Sequence, residues 1–243
     1  MKDYVVKERM LPAIVLGICF VVGIAIGGQK LADGIVQFKS LNRSVVVKGL
    51  SEQEVPADTA IWPIRFKEAN NKLNSLINSI DEKNQQVIVF LTAKGFSRED
   101  ISINPPSITD NEANNYVDSD KIRYRYTADS VVTVYTRDVA RVRAAMKDLG
   151  ELGRQGIAFS TDDYNARTEF LFTGLNNLKP KMIEEATQKA REVAEKFAKD
   201  SKSKLGKIKS ARQGVFQIND RDRNTPYIKR VRVISTVEYY LVD

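Results

Sequence analysis

Apolar and polar residues alternate in short stretches of the chain and recur at steps of three and four in longer ones. Alternation predicts a β-strand, whereas steps of three and four predict an amphipathic helix. The clearest alternating segment is residues 59–66, whose apolar positions are Ala60, Trp62, Ile64 and Phe66. We expect these four side chains to share one buried face. Pro63 lies on the other face and has no backbone N–H to donate, which predicts an edge strand or a bulge.

Three segments have helical spacing. Residues 70–94 form one amphipathic helix, or two helices that meet near Asp81, because a polar gap surrounds Asn84. Gly95 is placed to end this segment.

A second predicted helix begins at Asp138, a typical N-cap residue, and runs to about Leu149. The third and longest covers residues 177–202 and has an outer face rich in Lys and Glu. Its predicted inward stripe is Met182, Ala186, Ala190, Val193 and Phe197.

Short apolar runs between the helices predict further strands. They cover residues 44–49, 101–108, 121–135, 157–160, 166–173, 208–218 and 227–242. The order is strand-strand-helix three times, followed by a last pair of strands. This order predicts an α+β fold, with antiparallel sheets built from repeated strand-strand-helix units and helices packed on the sheet. We expect Trp62 and the tyrosines of the last strand to lie in the core.

Residues 10–29 carry no charge and would span roughly 30 Å as a helix, which is the hydrocarbon thickness of a bilayer. Lys2, Lys7 and Arg9 precede this run, so the positive-inside rule places residues 1–9 in the cytoplasm and the rest outside it. The predicted layout is an inner-membrane, single-pass protein with an anchor at residues 10–29, a stalk at 30–43 and a periplasmic domain at 44–243.

Two alternatives remain for the N-terminal segment. It is a cleaved signal sequence if Ala25-Ile26-Gly27 is a cleavage site, which leaves a soluble periplasmic protein. It is lipidated if Cys19 is modified, although Ile18 is bulky where a lipoprotein signal has a small residue.

Composition excludes several kinds of active site. The chain has no His and one Cys, and that Cys lies in the apolar run. This excludes a Ser-His-Asp triad, a Cys-His pair, a His metal ligand and an intrachain disulfide. The sequence predicts no catalytic residue, no cofactor-binding residue and no metal ligand.

The net charge and the acidic residues lead to two further hypotheses about function. The net charge is +7, and basic residues are densest at 199–209 and 221–232, which suits anionic lipid headgroups or anionic polymers. We expect no nucleic-acid partner. A hydrolase or binding protein that uses carboxylates alone would need the scattered acids to converge. The candidate acids are Asp58, Asp110, Asp162 and Asp163.

Several stretches, in order, resemble the SIMPL-domain family, which occurs in bacteria and animals and includes periplasmic immunogenic proteins. They are residues 45–49 (VVVKG), 55–58 (VPAD), 90–96 (FLTAKGF), 100–101, the Ala-rich residues 185–198 and residues 204–206 (KLG). The chain departs from the family pattern near Asp200-Ser201, where a glycine is expected, and in the polar residues 199–209.

The resemblance covers about residues 44–243 and implies an extracytoplasmic α+β domain with no established catalytic residues. Family members are loosely linked to envelope stress and, in animals, to signalling scaffolds. We therefore expect a non-enzymatic interaction or self-assembly protein of the bacterial envelope, a homo-oligomer with unknown envelope protein partners. The alternatives are an envelope surface or lipid-binding module and a carboxylate-based hydrolase or binding protein.

Overall fold

A computed structural model describes residues 16–32, 34, 43–113, 123–160 and 167–242. The chain divides into two compact units. The central unit consists of Glu52–Pro180 and Phe216–Arg232, and the terminal unit of Met1–Ser51, Lys181–Val215 and Val233–Asp243.

Helices and antiparallel strand pairs make up the described residues, which confirms the α+β class. The helices are residues 16–32 (α1), Leu73–Ala93 (α2), Val139–Lys147 (α3), Gly150–Arg154 (α4) and Leu175–Asp200 (α5), with a 3-10 turn at Arg98–Asp100. The strands are Ser44–Pro56 (β1), Thr59–Asn70 (β2), Ile101–Ile103 (β3), Ser107–Asp110 (β4), Tyr126–Thr136 (β5), Phe159–Ser160 (β6), Glu169–Leu171 (β7), Lys204–Gln213 (β8), Gln217–Asp220 (β9) and Ile228–Val242 (β10).

The core of the central unit lies between α2 and a sheet of order β3-β5-β2-β6, in which β4 also pairs with β5 and β7 with β2. The four alternating apolar residues of β2 are all buried, as predicted: Ala60, Trp62, Ile64 and Phe66. Each meets β5 in an antiparallel register, for example Trp62 opposite Val134. The short helices α3 and α4 add Val142 and Leu152 to this core.

Strand β2 is not an edge strand, because it pairs with β5 on one side and with β6 and β7 on the other. The register with β5 also runs past Pro63 without a shift, so the predicted edge strand or bulge is wrong. On the side of β2 away from β5, β7 pairs with residues 59–61 and β6 with Arg65 and Phe66. Among the described residues, none pairs with residues 62–64 on that side. The gap between β7 and β6 therefore lies at Pro63. Because proline has no backbone N–H, this residue could not donate a hydrogen bond to a strand there.

Helix α2 is one uninterrupted helix. The polar gap at Asn84 does not break it, because Asn84 is buried and accepts a hydrogen bond from Ser130 Oγ of β5 at 2.9 Å. A buried polar group that has its partner does not destabilise the helix face. Gly95 ends the helical segment with φ of +89°, as its position predicted.

The next elements match the sequence predictions in part. Asp138 caps α3 by accepting from Arg141 N–H at 2.9 Å. The predicted strand at residues 101–108 is two strands, β3 and β4, because Pro105 and Pro106 offer no N–H to β5 between them.

Helix α5 and the sheet β1-β10-β8 form the terminal unit. The buried stripe of α5 is Met182, Ala186, Ala190, Ala194 and Ala198. The predicted inward positions Val193 and Phe197 are wrong, because these side chains are 41% and 57% exposed.

The reason is close packing of α5 on β1. A Cβ placed at Gly49 would lie 1.8 Å from Ala186 O, so strand and helix backbones are in direct contact. Only small side chains fit at such an approach, and the alanines at steps of four provide them.

The predicted strand at residues 208–218 also differs. It begins earlier, at Lys204, and is divided into β8 and β9 around Gly214. A Cβ at Gly214 would lie 2.6 Å from Ile234 O, which accepts from Gly214 N–H at 2.8 Å. The chain therefore needs glycine where it leaves the β8 ladder.

At the N-terminus, residues 16–32 are helical and their apolar side chains are exposed, among them Leu16, Phe20 and Ile24. Within the described part of the chain, no helix is both long enough and apolar enough to cross a membrane. Residues 10–15 of the predicted anchor, and most of the predicted stalk, lie outside the described residues. The transmembrane anchor and the cleavage alternative therefore stay predictions.

Candidate functional site

Asp58 is a structural carboxylate at the start of the central unit. It accepts hydrogen bonds from the backbone N–H groups of Thr173 and Gly174, at 2.8 and 3.0 Å, and from the hydroxyl of Thr59 at 3.0 Å. Burial acts to raise the pKa of Asp58, but the hydrogen bonds from Thr173, Thr59 and Gly174 outweigh it and hold the pKa below its usual value. These contacts fix the chain that enters α5.

Asp110 lies at the opposite end of the central sheet. It pairs with Arg125, whose Nη2 is 3.2 Å from Asp110 Oδ2, and the hydrogen bond from Arg125 lowers the pKa of this carboxyl. Asp110 is opposite Tyr126, which is opposite Asn70 at the far end of β2.

The eleven residue steps from Thr59 to Asn70 correspond to roughly 35 Å of strand. The structure therefore does not bring Asp58 and Asp110 together, since carboxylate pairs act at about 5 to 9.5 Å. Asp162 and Asp163 lie outside the described residues. Within the ranges that the structure describes, no group of three or more Cys, Asp or Glu could hold a metal ion.

Strand β8 is an exposed edge of the terminal sheet. It pairs with β10 on one side, and no described strand pairs with its other side. Eight of its ten residues are exposed, and the two half-buried ones are Leu205 and Gly206. The strand has four basic residues and no acidic one: Lys204, Lys207, Lys209 and Arg212.

One of these cations is neutralised within the terminal unit. Lys209 Nζ lies 3.1 Å from Glu238 Oε1. Hydrogen bonds from Ser44, Lys209 and Ser210 lower the pKa of Glu238, so that this carboxylate stays charged. Lys207 and Arg212 have no ion-pair partner among the described residues, and they give the edge its unbalanced positive charge.

The predicted basic patch at residues 221–232 is mostly paired. Arg221 Nε lies 2.9 Å from Asp222 Oδ2, Arg230 Nε lies 3.5 Å from Glu52 Oε1, and Lys229 pairs with Asp220. Three of the five cations of this segment are therefore paired within the central unit, whereas Arg223 and Arg232 have no ion-pair partner among the described residues.

A cleft of about 310 Å³ opens in the central unit beside the interruption in the β2 ladder. We call it the Trp62 cleft. Its apolar wall consists of Trp62, Ile64, Met146, Leu149, Phe159 and Phe170. Its charged lining residues are Arg65, Arg167, Asp220 and Arg223. A volume of this size is at the lower end of what small-molecule sites occupy.

Backbone directions explain why the cleft opens at Pro63. Asn104 N–H donates to Val131 O at 3.2 Å, so the polar backbone groups of Val131 and of Thr133, two residues on, face β3. Pro63 is the partner of Thr133, so its carbonyl faces the other side of β2, toward the interruption. The proline closes no ladder bond there, and the space beside it stays open.

The comparison with family models decides the classification. The model of SIMPL, described as a protein of unknown function (DUF541), matches residues 45–233.

The chain belongs to the SIMPL family. The match takes in β1 to β9 and the helices α2 to α5 of the SIMPL domain. No curated protein matches the chain.

The residues of the Trp62 cleft were not predicted as a site from the sequence. Five separate segments of the SIMPL domain contribute to it, and none of them carries a local motif. Pro63 is the local signal beside the cleft, but in the sequence it predicted an edge strand or a bulge and not a cleft.

Proposed function

We propose that this SIMPL protein is a membrane-anchored, non-enzymatic binding protein of the bacterial envelope, whose exported domain holds an acidic partner along strand β8. The observation that carries the proposal is the exposed ten-residue edge of β8, which has four basic residues and no acidic one.

The anchor is supported by the uncharged residues 10–29 and the positive charges before them. The described helix 16–32 has apolar side chains on all its faces, and they are exposed. A helix that is apolar all round needs an apolar environment, which a bilayer would supply. With this anchor the N-terminus is cytoplasmic and the SIMPL domain periplasmic.

A non-enzymatic role is supported by the chemistry of the sequence. The chain has no His, and its single Cys lies within the proposed anchor. The two described candidate acids, Asp58 and Asp110, are each engaged in local contacts at opposite ends of one sheet.

An exposed strand edge offers unpaired N–H and C=O groups to an extended partner. Its main-chain groups supply affinity, and the side chains on the strand select the partner. Basic residues along the edge favour a partner with acidic side chains. They also disfavour pairing of β8 with β8 of a second copy, because this would place Lys and Arg close to Lys and Arg.

Self-association into a homo-oligomer remains part of the proposal, through a different surface. Val193 and Phe197 are one helical turn apart on the outer face of α5, and both are exposed. Such an apolar pair suits contact with another α5 helix. The elution mass of the full chain in detergent tests this, and it should fall to one chain in Phe197→Lys.

The alternative of lipid-surface binding uses the same unpaired cations. It is weakened by the pairing of Arg221, Lys229 and Arg230, which are three of the five cations in one of the two basic patches. Flotation of a chain that begins at Ser44, and so lacks the proposed anchor, distinguishes the two functions with anionic and neutral vesicles. Binding of a peptide to a strand edge should not depend on lipid charge.

The experiment uses a labelled ten-residue peptide of alternating Glu and Val and a matched peptide of alternating Lys and Val. We expect the full chain in zwitterionic detergent to bind the acidic peptide only, and less tightly as salt rises. Lys207→Glu and Arg212→Glu should each weaken binding about tenfold.

Lys196→Glu is the matched control, since it reverses one exposed charge on α5 in the same unit. It should leave the affinity unchanged. Equal binding of the two peptides, or equal weakening by all three variants, would contradict the proposal.

A further inference from the structure

The Trp62 cleft combines an apolar wall with positive charge that is not cancelled. Trp62 and Phe170 are 2% and 5% exposed, so the wall is fixed by the core of the central unit. Trp62 also packs against Phe96 with 6.3 Å between ring centroids, and Phe170 against Tyr227 at 6.2 Å. The wall is therefore rigid and preformed.

The charges at the cleft divide into paired and unpaired groups. Arg65 Nε lies 3.1 Å from Asp129 Oδ1, and Asp220 pairs with Lys229. Arg167 and Arg223 have no ion-pair partner among the described residues. Two guanidinium groups are therefore available to a ligand, and the one carboxylate that lines the cleft already has a cation.

Arg223 is carried by a turn whose shape is set by its neighbour. Asp222 Oδ1 accepts from the N–H groups of Asn224 and Thr225, both at 2.8 Å, and its Oδ2 accepts from Arg221 Nε at 2.9 Å. The hydrogen bonds from Thr225 and Arg221 lower the pKa of Asp222, so the turn keeps its charge. Asp222 therefore holds the turn in which Arg223 lies.

We propose that the Trp62 cleft binds a small organic anion with an aromatic or apolar body. The body packs against Trp62 and Phe170, and the carboxylate or phosphate group meets Arg167 and Arg223. Guanidinium groups suit both headgroups because their N–H donors match two oxygen atoms. This site is separate from the β8 edge, and it does not depend on the proposed function.

The test uses 2-naphthoate as the probe and 2-naphthamide as its neutral counterpart of nearly the same shape. Trp62 is the only tryptophan of the chain, so its indole N–H gives a single resonance that reports on the cleft. We expect naphthoate to shift this resonance saturably in the full chain, with Kd at or below about 1 mM. Naphthamide should bind about tenfold more weakly.

Variants test the two cations separately. Arg167→Gln and Arg223→Gln should each weaken naphthoate binding about tenfold and leave naphthamide binding unchanged. Arg212→Gln removes one charge from β8 in the terminal unit and should change neither affinity.

Three results would overturn the inference. They are no shift of the indole resonance up to about 10 mM naphthoate, equal affinity for acid and amide, or equal effects of Arg223→Gln and Arg212→Gln. The comparison of acid with amide uses the unmodified chain and so does not depend on how the variants fold. A phosphate-headed analogue, phenylphosphonate, then distinguishes the two headgroups.

Discussion

Among the described glycines of the terminal unit, Gly49 has the closest backbone neighbour. A Cβ there would overlap the backbone of α5, 1.8 Å from Ala186 O and 2.5 Å from Ala190 N. We predict that Gly49→Ala lowers the free energy of unfolding by about 1–3 kcal/mol or more, because strand and helix must separate. Denaturant unfolding measures this.

Gly150→Ala is the matched control. Gly150 begins α4, and a Cβ there would meet nothing within 4 Å. This change should be neutral or stabilising by about 0.5–1 kcal/mol. Equal destabilisation by the two substitutions would contradict the close approach of α5 to β1.

Asp58 connects stability to pH. Its pKa is lower in the folded chain than in the unfolded one, so its contribution is present above the unfolded value of about 4 and is lost as pH falls through the folded value. Asp58→Asn should lower stability at neutral pH by about 1 kcal/mol. It should also flatten the decline in stability below about pH 4.

Urea unfolding at several pH values measures both effects. Asp81→Asn is the control, since it removes one exposed carboxylate from α2 and should leave the free energy of unfolding at neutral pH unchanged. If the free energy of unfolding of Asp58→Asn falls with decreasing pH as steeply as that of the unmodified chain, Asp58 is not the group responsible.

Two substitutions in α5 test which face of this helix is buried. Its buried stripe consists of small residues, whereas Phe197 faces outward. Ala190→Leu should therefore cost about 1–3 kcal/mol, and Phe197→Gln should change stability by less than about 0.5 kcal/mol. A larger loss of stability from Phe197→Gln than from Ala190→Leu would contradict this packing and would show that Phe197 faces inward, as the sequence predicted.

Elements with one buried face could be predicted from the sequence, and elements exposed on both sides could not. The alternation of β2 and the spacing of α2 follow from a buried face, and both were predicted closely. Strand β8 is largely exposed, so no alternation marks its start at Lys204 or its end at Gln213. The stripe of α5 was mispredicted because residue size, set by the approach of β1, decided which positions are buried.

For the molecule as a whole, the proposed anchor leads to a direct prediction. The full chain should remain in the membrane pellet after alkaline carbonate extraction, and a chain that begins at Ser44 should be released. The intact mass of the membrane form should include residues 1–29. A soluble form that lacks them would instead show that the segment is a cleaved signal.

The family, the α+β class and the lack of a His- or Cys-based site followed from the sequence, whereas the two candidate surfaces did not. The Trp62 cleft brings together Arg167 and Arg223, which are 56 residues apart in the chain. The basic edge could be recognised only once the sheet order was known, because no described strand pairs with the outer side of β8. Both depend on the topology, which no local pattern in the chain specifies.

The most direct test of the binding function is backbone hydrogen exchange of the full chain with and without the Glu–Val peptide. Pairing with the free edge of β8 would protect amides within residues 204–213, because they gain hydrogen bonds to the peptide. We predict slower exchange in this segment with the acidic peptide and no change with the Lys–Val peptide. Unchanged exchange across β8 in the presence of bound acidic peptide would contradict the account.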